Sequence, residues 1–160
     1  MKAASQYILA YLLWALTTAL IVVAALLVRN ALIGSLTMAT IAGLDMNAPG
    51  AFDTSMRLRT MGAWSYPILG IILVVLVVFL EHYYRTALSI LQLLARFVRV
   101  AAFTVIALFV GHLILFLTSH SLGTMGWSGA LLPAAELAAA ALLFGLSAWL
   151  RGRSNGPTSA

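Results

Sequence analysis

Four stretches of about 20 residues carry almost no charge, and each is long enough to cross the ~30 Å hydrocarbon core of a bilayer as a helix. They cover residues 7–28, 64–84, 97–119 and 130–150. No water in a bilayer core can satisfy an open backbone, so such runs must be helices or barrel strands. Runs of this length with no dyad alternation are helices. The chain is 63% apolar and 8% charged, against about 45–50% and about 25% in soluble domains. That excludes a water-soluble monomer, and intrinsic disorder fails for the opposite reason. The expected fold is an all-α membrane protein, a single four-helix transmembrane bundle over 1–150 with a polar tail at 151–160. Lys2 precedes the first run as in a signal peptide, but the run exceeds the ~7–15 residues of a signal core. It reads as a retained helix.

The chain has no cysteine, which excludes disulfides, thiolate metal sites and cysteine nucleophiles. Its net charge of +5 comes from nine basic residues that punctuate apolar runs instead of clustering. They therefore point to topology and phospholipid headgroups, not to nucleic acid. Four spans place both termini and the middle connection on one side. That side holds six basic residues, Lys2, Arg85, Arg96, Arg99, Arg151 and Arg153, and the other holds three, Arg29, Arg57 and Arg59. The positive-inside rule then puts both termini in the cytoplasm and the protein in the cytoplasmic (inner) membrane. Tyr7, Trp64, Tyr66, Tyr83, Tyr84, Trp127 and Trp149 fall near span ends, as interfacial aromatics do. Trp14 lies well inside the first span and does not.

The outer connection, 30–63, has 34 residues, where bundle connections usually have about 2–8. Its first part is apolar, Asn47-Ala48-Pro49-Gly50 signals a turn, and Asp53 can cap a short helix through Met61. It is expected to lie on the membrane surface or a partner, or to pack on the bundle as a cap. On the inner side, Arg85, Ser89, Gln92, Arg96 and Arg99 recur at steps of four and three, a single helical stripe. With apolar residues opposite, it reads as a cytoplasmic interfacial amphipathic helix, or equally as a solvated helix end.

Polar groups within the spans are few. His112 and Glu136 both fall about 10 Å below the outer boundary, on antiparallel helices joined by a short Gly-rich turn. An ionisable pair at one depth is a helix-pairing contact, a site for a proton, quinone or pigment, or a contact to another subunit. A haem between two histidines of one chain needs both ligands at one depth. His82 and His112 differ by roughly 16 Å in height, and His120 lies about 12 Å beyond His112. The spacing argues against such a haem, while a shared pigment, quinone or lipid stays open. Glu81 precedes Arg85 by four residues, the favourable order for a helical ion pair, and with His82 marks an interface or lipid-contact edge. Ala134, Ala138, Ala141, Gly145 and Ala148 form a small-residue stripe that admits a close helix. Glu136, Ala140 and Ser147 occupy another side of the same helix.

The sequence contains no phosphate-binding loop, zinc-protease motif, nucleophile elbow or acidic metal cluster. With so few reactive groups, no enzymatic activity is expected of the chain by itself. Two protein-like faces on the last helix point instead to an accessory or anchoring subunit of a larger bacterial inner-membrane complex with other integral subunits. An electron-transfer (respiratory or photosynthetic) complex is the first expectation. The alternative is a small ligand-, quinone- or proton-handling module built on His112 and Glu136.

Overall fold

The computed structural model describes residues 2–44 and 50–154, without the side chains of Lys2 and Ala3. Four α-helices account for nearly all of it: α1 Lys2–Ala42, α2 Ala51–Arg85, α3 Ile90–Ser121 and α4 Leu131–Ser154. A single 3₁₀ turn, Trp127–Ala130, leads into α4. There is no strand among the described residues. All four helices are long and apolar enough to cross a membrane. Their outward faces are apolar too. Ile71 and Val78 on α2 and Leu142 on α4 leave 64–76% of their surface uncovered, which suits lipid and not water.

The helices run past the expected spans. α1 has 41 residues and α2 has 35, about 60 Å and about 50 Å of helix, so together they form a hairpin longer than the bilayer core is thick. The outer connection is thus mostly helix: α1 continues to Ala42, and the short helix expected from Asp53 is the first part of α2. Asp53 does not cap it. Gly50 is the N-cap, at φ 105°, a left-handed conformation that favours glycine, and Asp53 pairs with Arg57 at 3.0 Å. Hydroxyls that could have favoured a turn are absorbed inside α1. Ser35, Thr37 and Thr40 each donate to the carbonyl four residues back. Asn47, Ala48 and Pro49 lie outside the described residues.

The amphipathic stripe from Arg85 to Arg99 is not one helix. α2 stops at Arg85, a short turn follows, and α3 starts at Ile90 and runs unbroken to Ser121. The break has a local cause. Ser89 caps α3 by accepting from the Gln92 amide at 3.2 Å, and Gln92 Oε1 accepts from the Leu88 amide at 2.9 Å. These reciprocal bonds are a variant of the Ser-x-x-Gln capping box. Arg85 therefore belongs to α2, while Arg96 and Arg99 belong to the first turns of α3. No separate interfacial helix exists there.

The helices pack in the order α2–α1–α3–α4, with α1 against both α2 and α3, and α4 against α3. α2 makes no comparable contact with α3 or α4 along its length. Two ends can be distinguished: a terminal end, with the start of α1, the end of α4 and the α2–α3 turn, and a hairpin end, with the end of α1, the start of α2 and the α3–α4 turn. The terminal end is tightly closed. Ala10, Leu80, Tyr84 and Leu93 form a buried core there. Tyr84 is 1% exposed and its hydroxyl lies 2.8 Å from that of Thr17, also 1% exposed. Trp14, the aromatic out of place at an interface, donates its indole N–H to the Val77 carbonyl at 3.2 Å. On the far side, Ser147 is buried and donates to the Ala95 carbonyl at 3.1 Å, tying α4 to α3.

Candidate functional site: an ionisable pair and an arginine clamp at one level

α3 and α4 descend from one tight turn. Gly123 takes a left-handed φ of 71°, and His120 stacks on Phe116, ring centroids 5.5 Å apart, and meets Trp127 at a tilt, 4.7 Å away. That closure sets the register of the two helices, and Phe103 meets Phe144 edge-on further down. Between these contacts His112 Nδ1 lies 2.7 Å from Glu136 Oε1. Their side chains are 24% and 14% exposed. Glu136 Oε2 is buried and meets no hydrogen-bond partner among the described residues. The contact can hold two helices in register, and it can hold a proton between an imidazole and a carboxyl group.

The level of the pair can be read against α1. Val28 of α1 packs directly on Gly111 of α3, so closely that a Cβ on Gly111 would stand 3.3 Å from the Val28 Cα. Gln6 Nε2 likewise reaches the Ala87 carbonyl, at 3.3 Å. The parallel helices α1 and α3 are thus in a register that sets residue 28 beside residue 111. The apolar runs 7–28 and 97–119 are therefore not level but displaced by about 10 Å along the helices. His112 shares its level with Arg29, the residue that closes the first run.

Sequence reasoning assigned Arg29 only to a flank. In the structure it is a clamp between α1 and α2. Its Nε donates to Ser65 Oγ at 2.8 Å and one Nη to the Gly62 carbonyl at 2.6 Å, and the other Nη reaches Asn30 Oδ1 at 2.7 Å. The guanidinium carbon also lies 3.5 Å from the Tyr66 ring centroid, within cation–π range. Beside it opens a cavity of about 630 Å³ between α1, α2 and α3. Neither His112 nor Glu136 lines it.

The remaining sequence candidates fall at two other places. At the terminal end Glu81 and Arg85 lie 3.4 Å apart on the exposed side of α2, next to the exposed His82. Arg96 has turned inward: it donates to the Tyr83 carbonyl and to Thr86 Oγ1, and it covers the Tyr83 ring at 4.7 Å. It satisfies the carbonyl end of α2, where a cation is favoured. Arg99 lies three residues further along α3 and is half-buried. On α4 the whole small-residue stripe, Ala134, Ala138, Ala141, Gly145 and Ala148, is exposed. The opposite side, with Pro133, Ala140 and Ser147, is the one buried in the bundle. Among the described residues no group of three or more His, Asp or Glu side chains is placed to hold a metal.

Comparison with protein-family models, curated proteins and solved structures returns no match.

Proposed function

We propose that the chain is an accessory, anchoring subunit of a larger inner-membrane complex, with no reaction of its own. The observation that carries this is the position of the small-residue stripe. Five small residues on α4 face away from the bundle, and a Cβ added at Gly145 would meet nothing within 4 Å. Helix association in membranes gains from close approach, which such stripes permit. A bundle that already buries the other side of α4 makes no use of this one. The six basic residues of the terminal end, against Arg29, Arg57 and Arg59 towards the hairpin end, support termini in the cytoplasm. An electron-transfer assembly is the first host to examine.

Purification in mild detergent tests this. The expected result is stoichiometric copurification with larger integral subunits, and an absorbance spectrum that reports haem or pigment carried by the assembly. A chain that purifies alone, from native expression levels and in several detergents, overturns it.

A second reading rests on a different observation, the buried and unpartnered Oε2 of Glu136. Beside His112 it supports a protonatable module that handles a proton, a quinone headgroup or another small ligand within the membrane. Loss of proton movement or ligand binding in Glu136→Gln, with assembly intact, supports this second role.

A further inference from the structure

The cavity beside Arg29 is an apolar slot with a single cation in its lining. Its walls are almost wholly apolar: Ile21 and Ala25 of α1, Ile72 and Phe79 of α2, and Phe103 and Ala107 of α3 stand among them. Along α2 it runs from Ser65 to Leu80, about 22 Å of helix. One leaflet of the hydrocarbon core is about 15 Å deep. The cavity exists because, away from the terminal-end core, α2 packs on α1 and leaves α3 uncovered on that side. At about 630 Å³ it falls within the ~300–1,000 Å³ of ordinary ligand pockets.

Arg29 is the one charged residue in its lining, and it stands at the hairpin-end mouth with Ser65. Of the five N–H donors of a guanidinium, three are engaged, by Ser65, Asn30 and Gly62. No carboxylate lies in ion-pair range of Arg29 among the described residues. A guanidinium at the end of an apolar run, with no counter-charge of its own, attracts anionic headgroups. The two outstanding donors and the uncompensated charge call for an anion at the mouth of an apolar slot. Tyr66 and Gly62 fix the guanidinium in place, so its ordering is already complete before any anion arrives.

We propose that this groove is a phospholipid site: an anionic headgroup phosphate meets Arg29, and one acyl chain lies along α2 towards Phe79. The occupant belongs to the leaflet at the hairpin end, and the site is independent of the α4 face on which a partner subunit would dock.

The test uses the full chain purified in mild detergent, exposed in turn to phosphatidylglycerol and phosphatidylcholine, with bound lipid counted by native mass spectrometry. One phosphatidylglycerol per chain is expected to be retained in preference to phosphatidylcholine. In Arg29→Gln that preference should fall roughly fivefold, as expected for one interfacial Arg. Because Arg29 also clamps α1 to α2, Ala107→Phe provides a variant that leaves the clamp intact. Ala107 is exposed and lines the slot, so the added ring fills acyl-chain space and should displace the lipid while helicity stays at the wild-type level. Equal retention of the two lipids by the wild-type chain overturns the proposal. So does undiminished phosphatidylglycerol in Ala107→Phe, preferential retention of a free fatty acid, or another protein chain occupying the groove.

Discussion

His112 and Glu136 meet at 2.7 Å across α3 and α4, yet Glu136 offers a second, buried oxygen to nothing among the described residues. One oxygen satisfied and one not is a costly arrangement for a carboxylate away from water. A partner group from outside the chain relieves it. Interhelical polar contacts in membranes average about 0.6 kcal/mol and reach about 1.7 kcal/mol. His112→Leu and Glu136→Leu should each destabilise the protein by more than that, because each strands the other group. The double variant should cost less than the sum of the two, by about 1 kcal/mol in detergent unfolding. Glu136→Gln, which keeps a hydrogen bond to His112, should be milder than Glu136→Leu. Strict additivity would show that the pair is not coupled.

That contact was legible in the sequence, whereas the level at which it sits was not. α3 and α4 are joined by a short turn, so counting residues from the turn places His112 opposite Glu136. No such turn relates α1 to α3. Their register depends on one close approach, Val28 on Gly111, which no periodicity announces. The Arg29 clamp was hidden for a similar reason. Its partners Gly62 and Ser65 come from α2, whose register on α1 is set by a hairpin that runs helical far past the apolar runs. Hydropathy ends where charge begins, but a helix ends only where something stops it. Hence hydropathy assigns 30–42 to a connection, although α1 runs through it. The Ser89–Gln92 capping box, by contrast, was visible in the sequence and was absorbed into a stripe of matching spacing.

Gly111 tests the register directly. A methyl group there would stand 3.3 Å from both the Cα and a methyl of Val28, and a larger side chain has no free direction between the two helices. Gly111→Leu should destabilise the protein by about 1–3 kcal/mol, the usual cost of overpacking, seen as a lower midpoint in thermal or detergent unfolding. Gly145→Leu, at a position where an added Cβ meets nothing within 4 Å, should leave the midpoint of the isolated chain unchanged. Equal effects at the two glycines would mean that α1 and α3 do not meet at residue 111.

Orientation can be checked without removing any native thiol, since the chain has no cysteine. Ser55 is exposed near the start of α2 at the hairpin end, and Ser159 belongs to the C-terminal tail. Ser55→Cys should react with an impermeant thiol reagent in intact cells, and Ser159→Cys only after lysis. The opposite pattern would reverse the assignment of the six basic residues to the cytoplasm.

The last prediction concerns the exposed side of α4. Ala138 and Gly145 are seven residues apart on one face, two helical turns, and neither is covered by the bundle. If lipid lies against that face, a leucine there is as welcome as an alanine, since lipid tails are as apolar as leucine itself. If a partner helix lies there, the same leucine holds the two backbones apart and removes dispersion contacts along both turns. Ala138→Leu and Gly145→Leu should therefore leave the isolated chain as stable as the wild type and still weaken copurification of the larger subunits. The contrast between the two measurements is what separates a docking face from a packing face. Loss of stability in the isolated chain would place the stripe inside this fold. Unchanged copurification in both variants would assign the face to lipid and remove the observation on which the accessory-subunit proposal rests.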